Sequence, residues 1–155
     1  MTELRRNIPV AEIAQYLPHR PPMVWIDEVL YFSDKAGECR VTLQADGHYM
    51  GADGLRATSC LEFIAQAYGF ISVCHHLFVL NPHSKPLSKA FLASIKEAQL
   101  PSPEVLKKIS PGDELRIAID GIRALGPITM FTGHVRRGAS LICEAQLKAF
   151  REYQA

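Results

Sequence analysis

The sequence predicts an α+β chain in which an antiparallel sheet wraps one long buried helix. Three observations predict it. The stretch from Ser59 to Leu77 carries apolar residues on nearly every side, which marks a helix buried on most faces. Strand-like segments lie on both sides of it, two before and four after. Several of these alternate apolar and polar residues, the period of a half-buried strand. Runs of strands with segregated helices are the α+β pattern.

Taken in order, Val10, Ile13, Ala14 and Leu17 have the spacing of one helical face, and Pro18 closes that short helix. Pro21 and Pro22 hold the following residues extended. Met23 to Phe32, rich in Val, Ile, Leu and aromatic residues, reads as a first strand. Cys39, Val41 and Leu43 alternate with Arg40, Thr42 and Gln44 as a second. Asp46 to Arg56 is a loop punctuated by Gly47, Gly51 and Gly54. After the long helix come Ala90 to Leu100, a Pro-containing excursion, and Leu115 to Gly121, where a bulge is expected. Ile128 to Val135 and Leu141 to Ala149 complete the strands. A sheet curled around one apolar helix is the hot-dog architecture, although other α+β wraps satisfy the same pattern.

The 155 residues suit one domain, residues 1–155, with one core. A formal net charge of +1 argues against a nucleic-acid partner, which requires a basic stripe. Cys39, Cys60, Cys74 and Cys143 form no C-x-x-C pair and read as reduced thiols in or near the core. The N-terminal stretch lacks an apolar signal core, and the run from Cys60 to Leu80 is interrupted by Glu62, Gln66 and two histidines. The expectation is a cytoplasmic protein with no membrane span. No metal site and no cofactor are expected: His75 and His76 are adjacent and cannot share a helix face. Phosphate-loop and dinucleotide-binding motifs are also missing.

Five segments, in order, resemble the hot-dog 3-hydroxyacyl-(acyl carrier protein) dehydratases of the FabZ/FabA type. They are YLPHRPPMVWIDEVL (Tyr16 to Leu30), Gly47-His48 through Glu62 with Ala65 and Gln66, AFLASI (Ala90 to Ile95), PGDELRI (Pro111 to Ile117) and EAQLKAF (Glu144 to Phe150). The resemblance spans nearly the whole chain. It implies that His48 and Glu62 are catalytic, that the amide near Ala57 binds the thioester oxygen, and that Gln66, Phe63 and Gly54 contact substrate. It also implies an acyl carrier protein bearing a 3-hydroxyacyl chain as partner. The assembly it implies is a dimer, with the same chain or with a related hot-dog subunit, whose sites combine His48 of one subunit with Glu62 of the other.

The chemistry accounts for these residue types. Dehydration needs a base for the C2 proton, and histidine titrates near neutrality. It also needs an acid for the leaving C3 hydroxyl, and a carboxyl in an apolar tunnel is expected to have its pKa raised. Ser59-x-x-Glu62 equally fits a capping box, in which Glu62 hydrogen-bonds the helix N-terminus. His19 reads as a structural hydrogen-bonding residue. Lys107-Lys108 and Arg136-Arg137 offer basic landing spots for an acidic carrier.

The chain departs from the FabZ type after His48. Met50 stands where the family has proline, and Ala57 stands where it has glycine, which puts the direction of the Ala57 amide in question. Together with the long Pro101 to Ser110 segment, this marks a divergent branch of the kind found in aryl polyene (ApeP-like) biosynthesis. Two other functions fit the sequence: a hot-dog thioesterase, which needs no loop histidine, and a non-catalytic hot-dog subunit of a heterodimeric dehydratase.

Overall fold

The long helix and the sheet around it account for most of the chain. The computed structural model describes residues 5–80 and 87–153, and the side chains of 5–80 and 92–150. Short strands Ile8–Pro9 (β1) and Glu28–Phe32 (β2) lead to Gly37–Thr42 (β3). A small hairpin, Met50–Gly51 (β4) and Gly54–Leu55 (β5), precedes the helix Ser59–His75 (α1). Then come Leu87–Gln99 (β6), a four-residue helix Pro103–Leu106 (α2), Glu114–Leu125 (β7), Ile128–Arg137 (β8) and Ser140–Tyr153 (β9).

Seven strands form one antiparallel sheet in the order β1-β2-β3-β7-β8-β9-β6. Its concave face closes on α1. Alternation puts Cys39 and Val41, Leu115, Ile117 and Ile119, Phe131 and Val135, and Cys143, Ala145 and Leu147 inward. They meet Phe63, Ile64, Ala67, Phe70, Ile71 and Cys74 of the helix in one hydrophobic cluster. Helix and sheet approach closely at Gly133, where a Cβ would lie 2.2 Å from the Ile64 side chain. All four cysteines are free and buried. Burial pushes the Cys74 thiol up to about 12 and Cys39 well above its ordinary value, as expected of inert core thiols.

The hot-dog expectation holds, and the departures have local causes. The predicted N-terminal helix is two 3₁₀ turns, Val10–Glu12 and Ala14–Tyr16, because the eight residues between Pro9 and Pro18 are too few to propagate an α-helix. Val10, Ile13 and Leu17 still face the core. The strand expected from Met23 begins only at Glu28, since the backbone of Met23 and Trp25 is bonded to a side chain of α1 rather than to a neighbouring strand. The expected bulge lies at Gly121, between Asp120 and Arg123, and β7 continues past it to Leu125. Helix α2, capped by Ser102, occupies the Pro-containing excursion. Ser59–Leu80 is long and apolar enough to cross a bilayer, but 61% of its most apolar window is buried inside the chain's own fold.

Candidate active site

Chemistry concentrates at the N-terminal end of α1, where three segments converge. The first is the Gly47-His48-Tyr49 turn. A Cβ on Gly47 would lie 2.3 Å from the Tyr49 ring, so only glycine permits this turn. Tyr49 packs against Trp25 and Phe63, with ring centroids 5.4 and 5.2 Å away. Its hydroxyl accepts from the Gln44 amide at 2.5 Å, and its carbonyl accepts from Ser59 Oγ at 2.9 Å. Anchoring Tyr49 in the core leaves the preceding His48 exposed, with its carbonyl accepting a hydrogen bond from Arg56.

The second segment is the first turn of α1, with Glu62. No capping box forms, because Ser59 is bonded to Tyr49 and Thr58, at the cap position, makes no side-chain cap bond. Glu62 instead reaches sideways, and its Oε1 accepts from Gln66 Nε2 at 2.9 Å and lies 3.3 Å from His19 Nε2. His48 is not among the partners of Glu62 within the chain. Burial pushes the Glu62 carboxyl up, but the hydrogen bonds from His19 and Gln66 and the nearby His19 charge outweigh it and hold the group below its ordinary value. In the single chain this reverses the expected upward shift: Glu62 is partly open to solvent, and its donors favour the carboxylate.

The third segment runs from Arg56 to Thr58. Ala57 has a negative φ, so replacing the family's glycine introduces no backbone strain there. The amides of Ser59, Cys60 and Leu61 bond back to the carbonyls of Arg56, Ala57 and Thr58. Among the described residues, the Ala57 and Thr58 amides have no acceptor. Both residues line a groove of about 760 Å³, with Gly54 and Arg56 on one side and Leu106 and Lys107 of the α2 region on the other.

The remaining expected site residues also have contacts within the scaffold. Phe63 is fully buried against Trp25, with ring centroids 5.3 Å apart. Gln66 is 1% exposed; its Oε1 accepts from the Trp25 amide and its Nε2 donates to the Met23 carbonyl, both at 2.8 Å. Gly54, at φ 103°, makes the turn of the β4–β5 hairpin, in which Met50 pairs with Leu55. Of the basic pairs, Arg137 is engaged with Asp113 at 3.1 Å and with the Lys108 carbonyl, whereas Lys107 faces the groove. Among the described residues no cluster has the makings of a metal site.

Residues 11–155 match the family described as ApeP-like, ApeP dehydratase. The chain belongs to the ApeP-like dehydratase family. Its relatives include FabZ 3-hydroxyacyl-(acyl carrier protein) dehydratases: that of Actinobacillus pleuropneumoniae is 30% identical over 94% of this chain and 92% of that protein. That of Vibrio cholerae is 27% identical over 97% of this chain and 96% of that protein. Among solved structures, the dehydratase heterocomplex ApeI:P of Xenorhabdus doucetiae superposes with a TM-score of 0.79 at 24% identity, covering 96% of this chain and 94% of that one. The shared hot-dog fold puts the ApeP-like chain's Glu62 on the central helix and His48 in the loop before it. The sequence singled out His19 in the P-H-R segment as a structural hydrogen-bonding residue but not its partner, which is Glu62, and it carried no signal for Arg56.

Proposed function

We propose that this chain removes water from a 3-hydroxyacyl thioester carried on an acyl carrier protein, giving the trans-2-enoyl thioester in fatty acid or polyene biosynthesis. The observation that carries the reading is Glu62 on the first turn of the buried helix, close in sequence to the unbonded amides of Ala57 and Thr58. A carboxyl and unbonded backbone donors within five positions at the start of one helix supply, in this reading, an acid for the leaving group and a cradle for a thioester oxyanion.

In this mechanism His48 takes the C2 proton, and the electrons of that C–H bond form the C2=C3 double bond. The C3–O bond breaks as Glu62 protonates the departing hydroxyl, which leaves as water. The Ala57 amide steadies negative charge on the thioester oxygen as it develops. The resemblance to the FabZ type implies that each site takes His48 from one subunit and Glu62 from the other. The partners of Glu62 within the chain, His19 and Gln66, are compatible with that arrangement. Strand β6 ends the sheet, and Ile95 near its middle is 46% exposed. Such an edge is a template for another strand. A second hot-dog subunit, either a copy of this chain or a related one as in the ApeI:P heterocomplex, fits it. Burying Glu62 under that subunit and an acyl chain raises its pKa toward the range a general acid needs. With a carrier-bound substrate, the reaction belongs to the cytoplasm.

The test is conversion of a carrier-bound 3-hydroxyacyl thioester, read by mass spectrometry, with His48→Ala and Glu62→Gln beside the wild type and any co-purifying hot-dog partner retained. Loss of one water mass by the wild type, reduced about 10²- to 10⁴-fold in both variants, is expected. Release of free acid would identify a thioesterase. Failure to convert several acyl chains, with the partner present, would make this a non-catalytic subunit.

A further inference from the structure

Glu62 is wired asymmetrically. Gln66 Nε2 and His19 Nε2 both approach Oε1, at 2.9 and 3.3 Å, while Oε2 has no partner among the described residues. Gln66 cannot exchange its amide ends, because Oε1 already accepts the Trp25 N–H and Nε2 already donates to the Met23 carbonyl. His19 is placed by its turn: Arg20 Nη1 donates to the carbonyls of Leu17 and His19 at 2.6 and 2.7 Å. His19 must carry hydrogen on Nε2 to donate to Glu62. In the neutral ring this leaves Nδ1 as the acceptor, and that atom is buried without a partner. Among the described residues Glu62 is therefore the one polar partner of the imidazole, at 3.3 Å. His19 is also the one titratable group among the described residues that acts on the Glu62 carboxyl.

We propose that His19 is a positioning residue for Glu62: with Gln66 it occupies Oε1, so that Oε2 faces the reacting hydroxyl and carries the proton given to it. The inference rests on the dehydratase reading. In the step itself, the Oε2–H proton passes to the C3 hydroxyl, the C3–O bond breaks, and Glu62 is left as a carboxylate. Its new charge spreads onto Oε1, to which Gln66 Nε2 already donates and which His19 Nε2 approaches at 3.3 Å. These bonds strengthen as the charge forms, which is the condition for lowering the barrier rather than merely binding substrate. They also explain why a glutamine and a histidine are used at the edge of a core that has apolar alternatives.

The experiment compares His19→Phe, which keeps a flat ring without a donor, with His19→Gln, whose amide N–H has a similar reach. In free protein labelled with ¹³C at the glutamate carboxyl carbon, the Glu62 midpoint should rise in His19→Phe and return toward the wild type in His19→Gln. In turnover, kcat of His19→Phe should fall about 10- to 100-fold, the worth of a hydrogen bond to a charged group, with KM little changed. His19→Gln should recover most of the rate. The pH-rate limb that belongs to Glu62 should move to higher pH in His19→Phe. An unmoved Glu62 midpoint would overturn the proposal, as would equal losses of rate and Tm in both variants. If the wild type dehydrates nothing, the dehydratase reading fails, while the carboxyl titration still decides whether His19 governs Glu62.

Discussion

Two histidine–carboxylate clusters among the described residues, at His19 and at His134, differ in instructive ways. His19 and Glu62 meet at the end of the buried helix. His134, on the outer face of β8, stands between Glu144 of β9 at 3.3 Å and Asp120 of β7 at 3.6 Å. By residue type the second cluster looks richer, since one imidazole serves two carboxylates. Its carboxylates, however, are 43% and 58% exposed, and His134 and Glu144 are simply opposed in the sheet register. Water and salt screen such a group. Glu62 shares its oxygen with Gln66, which is buried and bonded to backbone on a separate segment. The two clusters therefore differ in this second layer of bonds rather than in the count of ionisable groups.

The sharpest way to break the comparison is to neutralise one carboxylate from each cluster. Glu62→Gln should cost dehydration about 10²- to 10⁴-fold, whereas Glu144→Gln should leave the rate unchanged in the same mass-spectrometric assay. A comparable loss from Glu144→Gln would move the site to the sheet's outer face. Gln66→Leu comes next. It strips a partner from the buried Trp25 amide and from the Met23 carbonyl, at about 1–3 kcal/mol for each group left unsatisfied. Thermal unfolding should show it as a Tm drop of roughly 2–4 °C per kcal/mol. An unchanged Tm would mean that Gln66 does not anchor the segment carrying His19.

The same contrast shows what can be read from sequence. The wrapped helix was legible because Ser59 to Leu77 is apolar all round, a pattern with few solutions in a chain of 155 residues. The strands β3, β7 and β9 were legible from alternation, β8 as a strand-like stretch between them, and the bulge from Gly121. His48, Glu62 and Gln66 were singled out through family resemblance, but their bonds were not foreseen. The capping-box reading of Ser59 and Glu62 failed because Ser59 found the Tyr49 carbonyl, a tertiary contact with no local signature. The strand expected at Met23 failed for a related reason: Gln66, 41 positions from Trp25, took the backbone group a strand partner would use. Side-chain-to-backbone bonds between distant segments leave no periodicity, and in this chain they build the candidate site.

Smaller effects refine the contrast. His134→Ala should change stability by no more than about 1 kcal/mol in urea titrations, the range of exposed pairs. A larger loss would show that the outer cluster carries structural weight.

Acid titration is the subtlest test. The Glu62 carboxyl is held below its ordinary value by donors that prefer the charged form. A group depressed in the folded state stabilises the fold above its unfolded pKa, near 4.3, and that contribution is lost as pH falls through the folded value. Asp113 follows the same sign: the Ser110 amide lowers its pKa first, against slight burial, and Arg137 lowers it further. Wild-type stability should therefore decline below about pH 4.5, and Glu62→Gln should remove part of the slope while leaving the part due to Asp113. Because both carboxyls are partly solvated, the change should be modest, detectable as a converging of the urea midpoints of the two proteins as pH is lowered from 6 to 3. Parallel midpoints across that range would mean that His19 and Gln66 do not favour the Glu62 carboxylate.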